Sequence, residues 1–285
     1  MIVAIMGAMT ELVDSAKLAG SAGAAAARAG VQVRLLESVP ELQAADQLLR
    51  SVWGTGPGEP PLALDVMRAL SHTGGYVSGA FDGTELVGVT AGFRSANGHG
   101  LHSHIAGVLP GRHGRGIGRA MKIHQREWAE ALGLEEISWT YDPLVRRNAV
   151  FNLARLGAVA TSYLIDFYGA MADEINRGDE SDRLFVSWPV RPAATPAPAQ
   201  VPEGAVSVLE VAADGTAAQR ESAERVLTCA TPPDIEGLRR TDPSAARGWR
   251  LALREVLAGS MDAGYRVAGI TADGRYLLIR PDDRP

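Results

Sequence analysis

The stretch "VLPGRHGRGIGRAMK", Val108 to Lys122, leaves the chain few conformational choices. The run before it, "GLHSHIAGV" (100–108), reads as a strand. After it, Ile117, Ala120, Met121, His124, Trp128 and Ala131 fall on one face of a helix from about 116 to 132, which Gly133 stops. Four glycines and three arginines occupy the turn and the helix start: Gly111, Gly114, Gly116 and Gly118, with Arg112, Arg115 and Arg119. The first four N–H groups of a helix have no internal partner, and the helix dipole puts partial positive charge there. Glycines let a ligand approach that backbone without Cβ obstruction. Strand, glycine turn and helix together make a phosphate site. Each hydrogen bond to a charged oxygen contributes roughly 1.5–3 kcal/mol, so three or four supply much of the ~8 kcal/mol that micromolar binding needs.

Two common phosphate motifs do not fit. A P-loop requires Gly-Lys-Ser/Thr after its glycines, and none follows here. A dinucleotide fingerprint requires a third glycine where Arg119 stands, and its acidic residue arrives late, as Asp142. A nucleotide-binding protein using the same turn stays open as a weaker reading. The formal charge is −5, with a pI of about 5.7, so the three arginines are a local feature of an acidic chain. No basic surface invites nucleic acid or an anionic membrane. The single cysteine, Cys229, forms no intrachain disulfide, which fits a reducing cytoplasm. It reads as a buried or incidental thiol. No apolar run reaches the ~18 residues of a membrane helix. The N-terminal residues lack a basic region and are interrupted by Thr10, Glu11 and Asp14, which argues against a secretory signal.

Four segments are expected: an N-terminal extension (1–30), disordered or helical; a first domain (31–190); a linker (191–204), "RPAATPAPAQVPEG"; and a small α+β piece (205–285). In the first domain, 31–37 reads as a strand, 41–54 as a helix closed by Gly54, and 61–71 as a second short helix. Strands follow at 74–81, 85–93 and 100–108, the first two joined by "DGT". The helix at 116–132 leads to a strand at 135–141, which implies a parallel pair with a right-handed crossover. A helix at 146–157 and strands at 158–167 and 182–190 close the domain. Beyond the linker come a strand "VSVLEV", helices near 216–228 and 243–263, and a hairpin turning on Asp273-Gly274. At about 80 residues this piece is near the lower limit for its own core. It packs on the first domain or across a homodimer.

The element order over 31–190, with Val108-Leu109-Pro110 and His113-Gly114-Arg115-Gly116-Ile117-Gly118, resembles the GNAT superfamily of acyl-CoA N-acyltransferases. Their motif is Q/R-x-x-G-x-G/A after a strand ending Val-x-Pro. His113 departs from its first position, and Arg112 lies one residue before it. A GNAT subgroup with a C-terminal extension is similar over nearly the whole chain after residue 30, through "HSHIAGVLP", "QREWA", "WTYDPLVRRNAVFNLARLGA", "SDRLFVSW" and "GWRLALRE…GYRVAG". The resemblance implies an α/β (α+β) fold: a mixed, mostly antiparallel central sheet with a splayed parallel strand pair flanked by helices, plus a small α+β C-terminal extension. It implies acyl-CoA as cosubstrate, acetyl-CoA or succinyl-CoA, without a metal. It implies transfer to the amine of a small molecule, an amino acid or a derivative, by direct attack on the thioester. The diphosphate sits on the amides of Gly114 to Arg119, including Arg115, Gly116, Ile117 and Gly118. The Val108 N–H is the oxyanion donor.

The remaining roles stay open between chemistry and structure. His102 and His104 are two apart, hence on one strand face, with His104 nearer the thioester. His104 is either the base for the amine proton or a histidine satisfied in a strand. The tyrosine that many GNAT enzymes place four residues before the glycine of the second helix is Leu153 here. Either Tyr141 is the acid, or the thiolate leaves unassisted, its pKa being ~8.5. Asn148 and Asn152 are candidates for pantetheine or the CoA thiol, with capping as the structural alternative for Asn148. Asp142 holds a substrate ammonium or makes an Asx turn before Pro143. Arg146 and Arg147 face a substrate carboxylate or solvent. Six scattered histidines give no metal spacing. Leu153 also supports a rival reading, an acyl-CoA-binding regulatory module without turnover.

Overall fold

The computed structural model describes residues 22–56, 58–171, 173–191 and 196–281. The reading of the N-terminal residues as no secretory signal falls mostly on residues 1–21, which lie outside them. The described residues fall into two compact units, one of residues 22–138 with Pro189–Arg191, the other of Trp139–Trp188 with residues 196–281. The chain crosses from one unit to the other at 138/139, 188/189 and 191/192, the last at the start of the Pro/Ala linker. The first unit starts with helix α1 (22–29), whose alanines at 22, 25, 26 and 29 are buried.

Strand β1 (Gln32–Leu35) leads to α2 (Val39–Trp53), which opens on a capping box. The Ser38 side chain accepts from the Glu41 N–H while Glu41 reaches back to the Ser38 N–H at 3.0 Å. Helix α3 (Leu64–His72) follows, then β2 (Tyr76–Asp82), β3 (Glu85–Arg94) and β4 (Gly100–Val108). These strands run antiparallel in the order β1-β2-β3-β4. On one sheet face, Leu42, Ala45 and Leu49 of α2 and Met67 of α3 pack with Val77, Val89, Ala91 and Ile105. The other face carries α4 (Ile117–Ala131), whose Met121 and Ile117 lie against Gly88. Strand β5 (Glu136–Tyr141) pairs parallel with β4 as Gly100↔Glu136, Leu101↔Ile137 and His102↔Ser138, and the pairing ends there.

In the second unit the end of β5 continues into α5 (Arg146–Ala149), which becomes π-helical over Val150–Leu156. Strands β6 (Val159–Leu164) and β7 (Arg183–Pro189) are antiparallel, in the order β5-β7-β6. Trp139 and Trp188 meet edge to face with centroids 6.0 Å apart. A second sheet, ordered β11-β12-β10-β8-β9, is built from β8 (Val206–Val211), β9 (Ala217–Gln219), β10 (Val226–Ala230), β11 (Arg266–Ile270) and β12 (Arg275–Ile279). Helices α6 (Ile235–Thr241) and α7 (Pro243–Leu253) precede a π-helical turn (Arg254–Ala258) and α8 (Gly259–Asp262).

The helix expected near 216–228 is not there. Those residues form β9, an extended stretch and the start of β10. Ala, Gln, Arg and Glu favour a helix locally, but β10 lies between β8 and β12 and buries Leu227 and Cys229. Tertiary pairing overrides propensity. Helix α6 was not anticipated; its Asp234 cap accepts from the Gly237 N–H at 2.8 Å. The mixed sheet and the second, C-terminal sheet agree with the fold class expected from the sequence.

Candidate active site

Helix α4 begins at Gly116, which has no side-chain cap hydrogen bond. Its first internal bond runs from the Ala120 N–H to the Gly116 carbonyl, 3.0 Å. The amides of Ile117, Gly118 and Arg119 thus have no acceptor within the helix. Gly114 and Gly116 take φ of 81° and 86°. A Cβ on Gly114 would meet nothing within 4 Å, and one on Gly116 only Ala29 at 3.9 Å. Internal packing therefore does not account for bare backbone here; left-handed φ and room for a ligand do.

The arginines divide. Arg112 pairs with Asp82 at 3.0 Å and also with Glu85, while Arg115 pairs with Asp82 at 2.9 Å. Arg119 is exposed on the first turn of α4. What the turn exposes is thus mostly amide, with Arg119 beside it.

Strand β4 offers the second element. The Leu109 N–H donates to the Val87 carbonyl, and Gly88 faces Val108 across the ladder. Antiparallel alternation then points the Val108 N–H and carbonyl away from β3. Pairing with β5 has already ended at His102, so this amide lies on an open strand edge. The Val108 carbonyl accepts a hydrogen bond from His113 Nε2 at 3.2 Å, which folds His113 back over the strand end.

The ladder also breaks at His104. Ser103 faces Gly92 and Ile105 faces Ala91, so His104 has no opposite residue. Such bulges re-aim side chains near active sites. His102 and His104 both reach Phe93, with ring centroids 5.2 and 5.9 Å away. His104 remains exposed, yet the surrounding protein desolvates its ring enough to lower its pKa. Burial lowers His102 as well, helped by His104 and Lys122. Both imidazoles therefore bind a proton less readily than a free imidazole. His102 Nδ1 lies 3.3 Å from the Ser138 Oγ.

Lys122 is the residue that sequence reading missed. On α4 its stem points into the protein, leaving the residue 5% exposed. Its ammonium donates to Ser103 Oγ at 2.8 Å and to Gln125 Oε1 at 3.2 Å. Burial lowers its pKa to about 7. The available signal was its place beside Met121, one residue off the apolar stripe of the helix.

The remaining candidates lie in the second unit and are strongly engaged there. The Asp142 carboxylate is bound by Arg250 through both oxygens, at 2.9 and 2.8 Å, and by Arg239 at 2.5 Å. It also accepts the Leu144 N–H at 2.9 Å, the Asx turn before helix α5. Burial alone would raise its pKa, but Arg250 and Arg239 hold it well below the usual carboxylate range. Tyr141 is buried, its hydroxyl 3.4 Å from that of Tyr276, which donates to the Pro143 carbonyl at 2.9 Å. Burial pushes the Tyr141 phenol upward. Arg146 donates to Thr231 Oγ1 at 3.0 Å, and Arg147 pairs with Glu236. Asn148 sits inside α5, whose N-cap is Val145, so it does not cap that helix. Asn152 lies in the π-helical segment and accepts from Trp139 Nε1 at 3.1 Å. Leu153 is buried. Among the described residues no group of three or more His, Cys, Asp or Glu could hold a metal, and no helix is long and apolar enough to cross a membrane.

No curated protein matches the sequence. Among solved structures, the chain is similar to the ribosomal-protein-S18-alanine N-acetyltransferase from Escherichia coli: 13% identity, TM-score 0.45, covering 57% of this chain and 96% of that one. It is also similar to yncA from Salmonella typhimurium, solved with its cofactor acetyl-CoA: 16% identity, TM-score 0.46, covering 58% and 97%. A third similarity is to an N-acetyltransferase from Staphylococcus aureus: 13% identity, TM-score 0.47, covering 56% and 99%. Residues 42–157 match the family model of the acetyltransferase (GNAT) family, a segment that contains the whole of β4, the glycine turn and α4. Residues 42–157 are therefore similar to a GNAT acetyltransferase domain.

Proposed function

We propose that the protein transfers an acetyl or succinyl group from acyl-CoA to the primary amine of a small molecule, an amino acid or a derivative of one. The observation that carries this reading is the uncapped start of α4, with open space over Gly114 and Gly116, beside the unpaired β4 edge at Val108. The diphosphate of CoA binds the amides from Gly114 to Arg119, where His113, Arg115, Ile117 and Gly118 surround it. Pantetheine adds to the β4 edge as a strand would. The Val108 N–H donates to the thioester oxygen as it becomes an oxyanion.

The acceptor arrives as an ammonium and gives one proton to His104. Its lone pair then attacks the thioester carbon, the C–N bond forms, the C–S bond breaks, and the second proton on nitrogen passes through solvent to the departing thiolate, giving the amide and free CoA thiol. The thiolate leaves without an acid, since Leu153 provides none and Tyr141 is buried against Tyr276. A low thiol pKa, ~8.5, makes this feasible. Asp142 and Arg146 already bind groups of their own unit, so recognition of the acceptor through them requires displacement of Arg239, Arg250 or Thr231.

Release of free thiol from acetyl-CoA and succinyl-CoA, measured against a panel of amines, tests the reading. Amine-dependent CoA release is the expected result. Tight CoA binding with no release for any amine overturns it in favour of a non-catalytic acyl-CoA-binding regulatory module, which Leu153 in place of an acid favours.

A further inference from the structure

Helix α1 runs alongside α4. The Ala22 N–H donates to Glu127 Oε1 at 2.6 Å, and at the other end of α1 Ala29 lies against Gly116, where a Cβ would stand 3.9 Å away. Between α1, the second half of α4 and strand β1 lies a cavity of about 600 Å³. That volume falls within the range of small-molecule sites, ~300–1,000 Å³, and far exceeds an ordinary packing void. Four α4 residues line it: His124, Glu127, Trp128 and Ala131. Their spacing of three and four puts them on one helix face. Val33 and Leu35 of β1 also line it. They alternate with Leu36, which packs in the α2 cluster, so they face the α4 side of the sheet. Ala26 and Ala27 of α1 make another wall, and side chains this small leave the space open. Ala27 is exposed, so the cavity is reached from solvent.

The lining selects a ligand chemistry. Among the described residues that line the cavity, Glu127 is the one carboxylate and none is lysine or arginine. Trp128 stands next to it. The Trp128 ring meets Tyr76 edge to face at 5.0 Å, and the Tyr76 hydroxyl is bonded to His124 Nδ1 at 2.7 Å, so both α4 rings are held in place. A carboxylate beside an indole, with aliphatic side chains around them, suits a positive head on an apolar body. Arg126, on a neighbouring face of α4, interacts with both Glu127 and Glu130 and does not line the cavity. No lining residue comes from β3, β4 or the glycine turn, so this site is separate from the β4 edge. We propose that the cavity binds a small organic ammonium ion, its nitrogen against Glu127 and Trp128 and its apolar part against Val33, Leu35 and Ala26. The site does not depend on the acyl-transfer reading.

Titration of the full chain with 2-phenylethylammonium chloride, followed by the Trp128 indole N–H signal in NMR, tests this. Trp128→Phe assigns the signal. A saturable shift is expected, and 2-phenylethanol, the neutral isostere, binds at least about tenfold more weakly. In Glu127→Gln the affinity for the ammonium falls about tenfold and that for the alcohol stays. The glutamine carbonyl still accepts the Ala22 N–H, which keeps α1 on α4. Ala27→Phe, at an exposed position, fills the cavity and removes the shift. No saturable shift up to about 10 mM ammonium overturns the proposal. So does equal affinity for ammonium and alcohol, or an unchanged ammonium affinity in Glu127→Gln. Should that variant not fold, undiminished binding in Ala27→Phe overturns it instead. A shift of the His104 signal with Trp128 unmoved also overturns it, because the amine is then held at the β4 edge.

Discussion

Single residues in this chain are decided by what surrounds their charge. Lys122 is held near pKa 7 by burial, against about 10.5 in the unfolded chain. Its folded value is depressed, so between about pH 7 and 10 the unfolded state binds more protons and stability rises with pH. Lys122→Met is expected to remove up to about 4 kcal/mol of that rise, read by chemical denaturation across this range. Gly116→Val places a β-branched residue at a φ of 86° and fills the space above the turn. Acyl-CoA affinity should fall at least about tenfold through the lost amide contacts, with stability falling by about 1–2 kcal/mol. Calorimetric titration and a denaturation curve separate the two effects. His104→Gln should lower kcat/KM by about a hundredfold or more and abolish its acidic limb.

Elements show what local sequence contributes. Gly54, Gly133 and Gly157 mark helix ends because a glycine stop needs no distant partner, and "DGT" and "DGR" likewise identify both hairpins. The capping box of α2 is local too. Glu41 is held to a pKa of about 2, first by the Ser38 N–H and also by Arg34. Its contribution is therefore present above about pH 4 and lost as pH falls through about 2. Ser38→Ala should destabilise by about 1 kcal/mol, read at neutral pH. Elements fail to read locally where neighbours decide them: β9 and β10 have helix-forming composition but complete a sheet. The bulge at His104 was equally hidden, because it exists only in the register between β3 and β4.

At the scale of the whole molecule, residues 139–188 and the C-terminal residues share a unit through charge as well as core. Asp142, Asp179, Arg239 and Arg250 form one buried cluster, with Arg239 reaching both carboxylates. A chain cut at residue 191 loses Arg239 and Arg250, the two guanidinium groups bonded to the Asp142 carboxylate. Breaking such a buried pair costs about 3–5 kcal/mol, so the truncated chain is expected to aggregate on size-exclusion chromatography. Asp142→Asn in the full chain should lose a comparable amount at neutral pH. It should also flatten acid unfolding below about pH 4, because the depressed carboxylate stabilises above its unfolded pKa and ceases to as it protonates.

From the sequence by itself followed the strand, glycine turn and helix between Gly100 and Ala131, and with them the uncapped amides at the start of α4. Periodicity and left-handed glycine positions act within a few residues, so the chain needs no folded context to declare them. Only the tertiary structure decided which polar groups are buried and with whom. Lys122 meets Ser103 across 19 residues, and Asp142 meets Arg239 and Arg250 across 97 and 108. Desolvation and ion pairing depend on those distant partners, and no local pattern encodes them.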